Sequence, residues 1–494
     1  MTAELAPPPL EPVANANHAA RGKRLGLGLL TVYGSGALVQ DTATYLLSYL
    51  LLFYLTVVCG MAASWAGVAL GAALIVDSFV DPLVGSLSDN SRSKHGRRHP
   101  WMIGSALPLV IAYGLLFSIP EGLSGIGLFA YALTLLLVVR VGISGFNVPY
   151  TALGAELSDD YRERSTIVAV RVLFTTLASL FAAFLAYGVF LKGDGGTTHR
   201  EAYTPLAWSC GGLILFGAAL SSFGTLGMRD RLHTAAPDQT SSFAGFLAEV
   251  VEVFRNPSFR VLFIGCLVLF ISLGTAAGLT LYANTFFWKL TTKAILGVSL
   301  VSLLGLFIGV FVAAGLTQVF EKRTVALAGV ILIALCQLAP ALLQVTGVLP
   351  PGSAVTTLMI AGAVVCVGMS MSLVGFQSMM ADAADEHEHL FGARREGLFF
   401  AGISLAAKAS SGLGAMVAGA ILDVVGIPSG LDKFGHPLAS AAPSDAIRNL
   451  GLAYGPGAAV ITAISILILF GYRHSQRDHE RVREALEQRR TGAR

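Results

Sequence analysis

Residues 67–87 read GVALGAALIVDSFVDPLVGSL and run straight into a basic stretch at 88–101, SDNSRSKHGRRHPW. The first segment is long and apolar enough to cross a bilayer as a helix, yet it carries Asp77 and Asp81. A carboxylate at the bilayer centre costs about 2.5–3.5 kcal/mol on insertion scales. A spacing of four residues puts both side chains on one helix face, about 6 Å apart. At an effective dielectric of about 20, two charges at that distance repel by roughly 3 kcal/mol. The pair therefore needs a shared cation, a proton or a basic partner.

The rest of the chain has the same character. Of 494 residues, 54% are hydrophobic and 13% charged, with a mean hydropathy of +0.69. A soluble domain carries about twice that charge. Continuous apolar runs, rather than alternating ones, select helices over a membrane barrel. Spans are read near 26–57, 63–88, 101–120, 124–154, 166–192, 205–227, 259–288, 294–318, 324–346, 353–381, 396–423 and 451–472. Basic residues gather on alternate connections: Arg21, Lys23 and Arg24, then the 92–98 loop, Arg162 and Arg164, Arg229 and Arg231, Lys322 and Arg323, Arg394 and Arg395, and Arg473 onward. The positive-inside rule places both termini in the cytosol.

The expected organisation is a disordered Pro/Ala-rich tail (1–25), a six-helix bundle (26–227), a cytosolic linker (228–258), a second bundle (259–472) and a charged tail (473–494). Within the linker, Phe243, Phe246, Leu247, Val250, Val251 and Phe254 share a helical face that ends at Pro257, which reads as an interfacial helix. No cleavable signal peptide is visible. The five cysteines lie singly, without metal-ligand or disulfide spacing. The connection 424–450 reads as a long loop, and the last residues as a solvated, charged helix.

Four more charged residues fall inside spans: Asp41, Arg140, Arg171 and Lys408. With the aspartate pair, three acids meet three bases, and such residues face a polar cavity or one another rather than lipid. Arg140 could neutralise an aspartate in a fixed ion pair, and Lys408 could tie the two halves together. Asp41 and Arg171 suit the recognition of hydroxyl groups by carboxylate and guanidinium. Tyr45, Tyr49 and Tyr54 offer either a stacking face or plain packing. No catalytic constellation, metal motif or ATP-binding motif is present. His387 and His389, in ADAADEHEHLFGARREG, read as a salt-bridged loop pairing with Arg394 and Arg395.

Three stretches taken together resemble one family. They are VDSFVDPLVGSLSDNSRSKHGRRHPWMIGSALP, NVPYTALGAELSDDYRERSTIVAVR and ADAADEHEHLFGARREGLFFAGISLAAKASSG. The chain is similar, from about 26 to 472, to the glycoside–pentoside–hexuronide:cation symporters, the melibiose-permease branch of the major facilitator superfamily. The resemblance implies an all-α membrane fold of about twelve helices in two pseudo-symmetric bundles around a midplane site. It implies cation binding by Asp77 and Asp81, with Ser144 and Asn147 on the fourth helix. It implies substrate binding by Asp41 and Arg171, with Asn147, Tyr150 and Lys408 nearby. A cytosolic gate would use Arg92, Arg98, Glu156, Arg164, Asp382 and Arg395.

The chain departs from melibiose permease at helix four, where Asn147 replaces an aspartate and Arg140 a glycine. Losing an acid and gaining a guanidinium favours a proton over sodium, because a proton needs only one titratable acid, while the Asn147 and Ser144 oxygens leave sodium as the other coupling ion. The implied activity is cation-coupled symport of a sugar, glycoside or uronide by a monomer in the cell inner membrane. It needs no cofactor and no nucleic acid. The alternative cargo on the same fold is a lysolipid or other amphiphile.

Overall fold

The computed structural model describes residues 25–91, 93, 96–158, 160–193, 195–231, 251–392, 396–473 and 476–492. The first span, α1, is bent by 45° between Leu27–Tyr49 and Leu51–Val58. Among the described residues, eleven further helices are long and apolar enough to cross a membrane. These are α2 (Ala63–Asp89), α3 (His99–Leu116), α4 (Gly125–Glu156), α5 (Glu163–Phe190), α6 (Arg200–Met228), α7 (Pro257–Phe287), α8 (Thr292–Val319), α9 (Lys322–Val345), α10 (Ala354–Phe391), α11 (Gly397–Val425) and α12 (Ser444–Leu469). A charged helix, α13 (Gln476–Gly492), follows. The chain is a multi-pass, all-helical membrane protein.

Two sequence expectations change at helix ends. Residues 381–391 continue α10 as helix rather than loop, and His387 is buried there between the rings of Phe391 and Phe399. Residues 444–450, read as loop, belong to the first turns of α12. The tail 1–24 and most of the expected linker helix lie outside the described residues.

Helices α1 to α6 pack mainly with one another, as do α7 to α12, except that α2 packs most extensively on α11 of the other half. The halves repeat one local device. The last turns of α1 and α7 widen into π-helix at Tyr54–Val58 and Ala283–Phe287. Cys59 N donates to the Tyr54 carbonyl and Met61 N to that of Leu55; Trp288 N and Leu290 N do the same to Ala283 and Asn284, at a constant offset along the chain. Both helices then stop on a left-handed residue, Gly60 (φ +77°) and Lys289 (φ +51°). A lysine held there is strained, so the repeat is kept in the backbone where side chains have diverged.

The halves meet through glycines. A Cβ added at Gly419 on α11 would stand 2.3 Å from the Ala63 carbonyl oxygen, and one at Gly67 on α2 would stand 2.7 Å from that of Ala415. Thus α2 and α11 touch backbone to backbone, the approach that small residues permit in membrane helices. Nearby, the Thr56 and Tyr282 hydroxyls bond across the halves, Ser64 N donates to Asp423, and Gly430 N donates to the Thr56 carbonyl. These contacts all lie toward the face opposite the basic loops. Gly419→Leu is expected to force α2 and α11 apart. The readout is alkylation of a Thr56→Cys reporter from that face, which should rise several-fold; unchanged labelling would refute the glycine contact as the seal.

Candidate functional site

The basic-loop face carries matched ion pairs, one in each half. Glu156, at the end of α4, receives the guanidiniums of both Arg97 and Arg98, the latter at 2.8 Å. Asp89 lies 3.4 Å from Arg98. Burial pulls the Arg98 pKa down, and the Glu156 charge opposes that shift. In the second half, Lys322 holds Asp382, at the equivalent end of α10, at 2.7 and 2.9 Å. Arg164 turns its Nε to the Ser158 carbonyl at 2.8 Å. Arg92, Arg394 and Arg395 lie outside the described residues. Lys322 was missed as a pairing residue, although its place in a basic loop was visible.

Helix α13 is not simply solvated. Leu486 is buried, His479 Nε2 lies 3.6 Å from Asp382, and Arg489 donates to the His389 carbonyl. Its polar face reads as solvent-exposed in sequence, and only the docked bundle reveals the other.

At the centre, Asp77 is 2% exposed. Lys408 of α11 donates from Nζ to Asp77 Oδ2 at 2.8 Å and to Asp81 Oδ2 at 2.5 Å. Ser144 of α4 lies 2.6 Å from the other oxygen of each carboxylate. A serine hydroxyl carries one hydrogen. It can serve only one carboxylate at a time, so the second contact leaves a place for one further hydrogen. Arg140, one turn before Ser144, is buried and lies in the field of both acids. Among the described residues it makes no ion pair within 4 Å.

Lys408, matched by the resemblance to a lysine near the cation site and counted among the substrate-binding residues, sits on the carboxylates themselves. It is a tie between the halves made at the aspartate pair, because its stem is long enough to cross from α11 to α2. Arg140 is the second counter-charge rather than the direct partner. Two acids and two bases balance there.

Away from this cluster, Asp41 on α1 is half-buried and accepts from Thr175 Oγ1 at 2.9 Å. Arg171, one turn before Thr175 on α5, acts electrostatically on Asp41 and approaches the Tyr33 hydroxyl. Tyr33 stacks on Tyr150, with ring centroids 4.7 Å apart. Tyr33 and Tyr150 are both fully buried, ring against ring. Asn147 is half-buried one turn beyond Ser144, and its backbone oxygen accepts from Thr151. The tyrosine stripe is packing for two of its three members: Tyr45 is buried beside Ser299, and Tyr54 donates to the Phe117 carbonyl at 3.0 Å. No cluster of metal-ligating side chains occurs among the described residues.

Residues 32–475 match the family model described as MFS/sugar transport protein. The chain belongs to this family. Among relatives of this MFS/sugar transport protein, the isoprimeverose transporter of Lactiplantibacillus pentosus is 27% identical over 389 residues, 77% of each chain. An uncharacterized symporter of Synechocystis sp. is 35% identical over 158 residues, 31% of this chain and 29% of the relative. The inward-open structure of the xylose transporter XylE from E. coli superimposes with a TM-score of 0.60 at 13% identity, covering 93% of this chain and 99% of that one. That likeness establishes the major facilitator fold.

Proposed function

We propose that this chain is a secondary active transporter that moves a sugar or glycoside together with a proton by alternating access. The observation that carries the reading is the single Ser144 hydroxyl between two carboxylates that also share Lys408. That arrangement has room for one proton and supplies its own ammonium where a metal cation would otherwise balance the charge. Names of relatives such as the isoprimeverose transporter support the carbohydrate cargo.

With both carboxylates ionised, the pair holds Lys408 fully and α11 stays tied to α2. Protonation halves the charge facing the ammonium and loosens the tie. Proton occupancy is thereby linked to the relative movement of the halves. On this reading the basic loops and both termini are cytosolic and the membrane is the bacterial inner membrane. The cross-half contacts at the opposite face then mark an inward-facing state. Asp41 and Arg171 hold sugar hydroxyls, and a monomer suffices.

Uptake of labelled glycosides into proteoliposomes tests this. A pH gradient, acid outside, is expected to drive accumulation, and a sodium gradient at equal pH is not. Asp77→Asn/Asp81→Asn should keep at most a few per cent of the uphill uptake. Sodium-driven accumulation by the native protein, or full accumulation by the double variant, would overturn the reading.

A further inference from the structure

We propose that Arg140 is the partner that Asp77 and Asp81 take in exchange for Lys408 when the two halves part, a role that rests on the alternating-access cycle above. It would serve the step in which the empty carrier returns. Arg140 is 7% exposed. Its Nε is buried and meets no acceptor among the described residues. A guanidinium held in the membrane interior without a bonded partner is costly. Apolar packing alone would be served better by an uncharged side chain of that length. The charge therefore has its use in another state of the molecule.

The acids acting on Arg140 are Asp77 and Asp81. Helix α3, which meets α4 at Gly142 and Gly145, carries no aspartate or glutamate. The Asp41 carboxylate is answered by Arg171 and Thr175. No other carboxylate on these neighbouring helices competes for the guanidinium.

Reach and connectivity then favour an exchange. Ser144 stands 2.6 Å from each carboxylate. Arg140 precedes it by one turn on the same helix face, about 6 Å along the axis, which an extended arginine stem spans. Helices α2 and α4 belong to one half, and Arg140 travels with the aspartates. Lys408 belongs to the other half and travels with α11. Lys408 and Asp81 are 28% and 26% exposed, whereas Asp77 is 2% exposed. The lysine thus comes to the pair from its wet side, and the arginine waits on its dry side.

When α11 swings away, Lys408 leaves two carboxylates behind. In the loaded carrier a proton neutralises one of them. The empty carrier has no proton, and two ionised acids one turn apart repel. Arg140 turning onto them supplies the missing counter-charge, and the next proton displaces it. Net uptake needs this empty return. Exchange of substrate for substrate does not, because the protonated, loaded carrier runs in both directions.

The test uses the full chain in proteoliposomes, with labelled isoprimeverose as the probe. Exchange is measured at equal concentration and pH on both sides, and net uptake under whichever ion gradient drives the native carrier. Arg140→Gln should lower net uptake about tenfold more than exchange, equivalent to roughly 1.4 kcal/mol on the return barrier alone. Arg140→Lys, which keeps the charge, should recover most of the ratio. A native ratio of net uptake to exchange in Arg140→Gln overturns the proposal, as does an equal loss of both. A native carrier that exchanges no isoprimeverose or other glycoside overturns the transport reading, and this proposal with it. Should Arg140→Gln fail to fold, Arg140→His, prepared at acid pH with its imidazole charged, decides. Its ratio should drop against the native one as pH rises through about 6.5, and a ratio that tracks the native one overturns the proposal.

Discussion

Lys408→Met is expected to abolish uphill transport and to destabilise the protein by about 3–5 kcal/mol, the cost of removing one partner from a buried ion pair. Asp77 is 2% exposed and would lose its ammonium contact at 2.8 Å. Asp81 would lose its own at the same time. Arg140 then faces two carboxylates alone, and the cross-half tie between α2 and α11 is gone. The direction can be separated from simple misfolding. Adding Asp81→Asn to Lys408→Met restores the charge balance and should recover most of the thermal stability, but not proton-driven accumulation. Thermal unfolding in detergent and uptake in proteoliposomes read the two effects. If Lys408→Met keeps native stability and accumulation, the ammonium is not part of the coupling site.

The second large effect is expected at Asp41 and Arg171. On the proposed function each gives charge-assisted hydrogen bonds to a sugar hydroxyl, worth about 1.5–3 kcal/mol apiece. Asp41→Asn and Arg171→Gln should each weaken glycoside binding by roughly tenfold to a hundredfold. The double variant should fall short of the product of the two, because both act on one ligand. Thr175→Val, which removes the 2.9 Å bond that orients Asp41, should cost less than either. Isothermal titration separates these cases, and undiminished binding in Arg171→Gln would remove that residue from the site.

The charged residues inside spans were legible from sequence because lipid makes each of them conspicuous. Asp41, Asp77, Asp81, Arg140, Arg171 and Lys408 stand out against any apolar run. Their partners were not legible. Lys408 lies more than three hundred residues from Asp77, and no local pattern says which acid it reaches. Tyr150 stood in a recognisable motif, yet its burial under Tyr33 depends on how α1 leans on α4. The helix at 381–391 was misread because its acidic and histidine-rich composition resembles a loop. Burial of His387 between two phenylalanines keeps it helical.

From the sequence alone came the membrane class, the number of spans and the electrostatic need of the aspartate pair. Each follows from local composition against a hydrocarbon solvent, which tolerates neither unpaired backbone nor lone charge. Tertiary structure alone decided that the need is met by an ammonium from the other half and by one serine hydroxyl between two acids. Charges find partners through space, at distances set by glycine contacts between helices, and that geometry is not written in any single span.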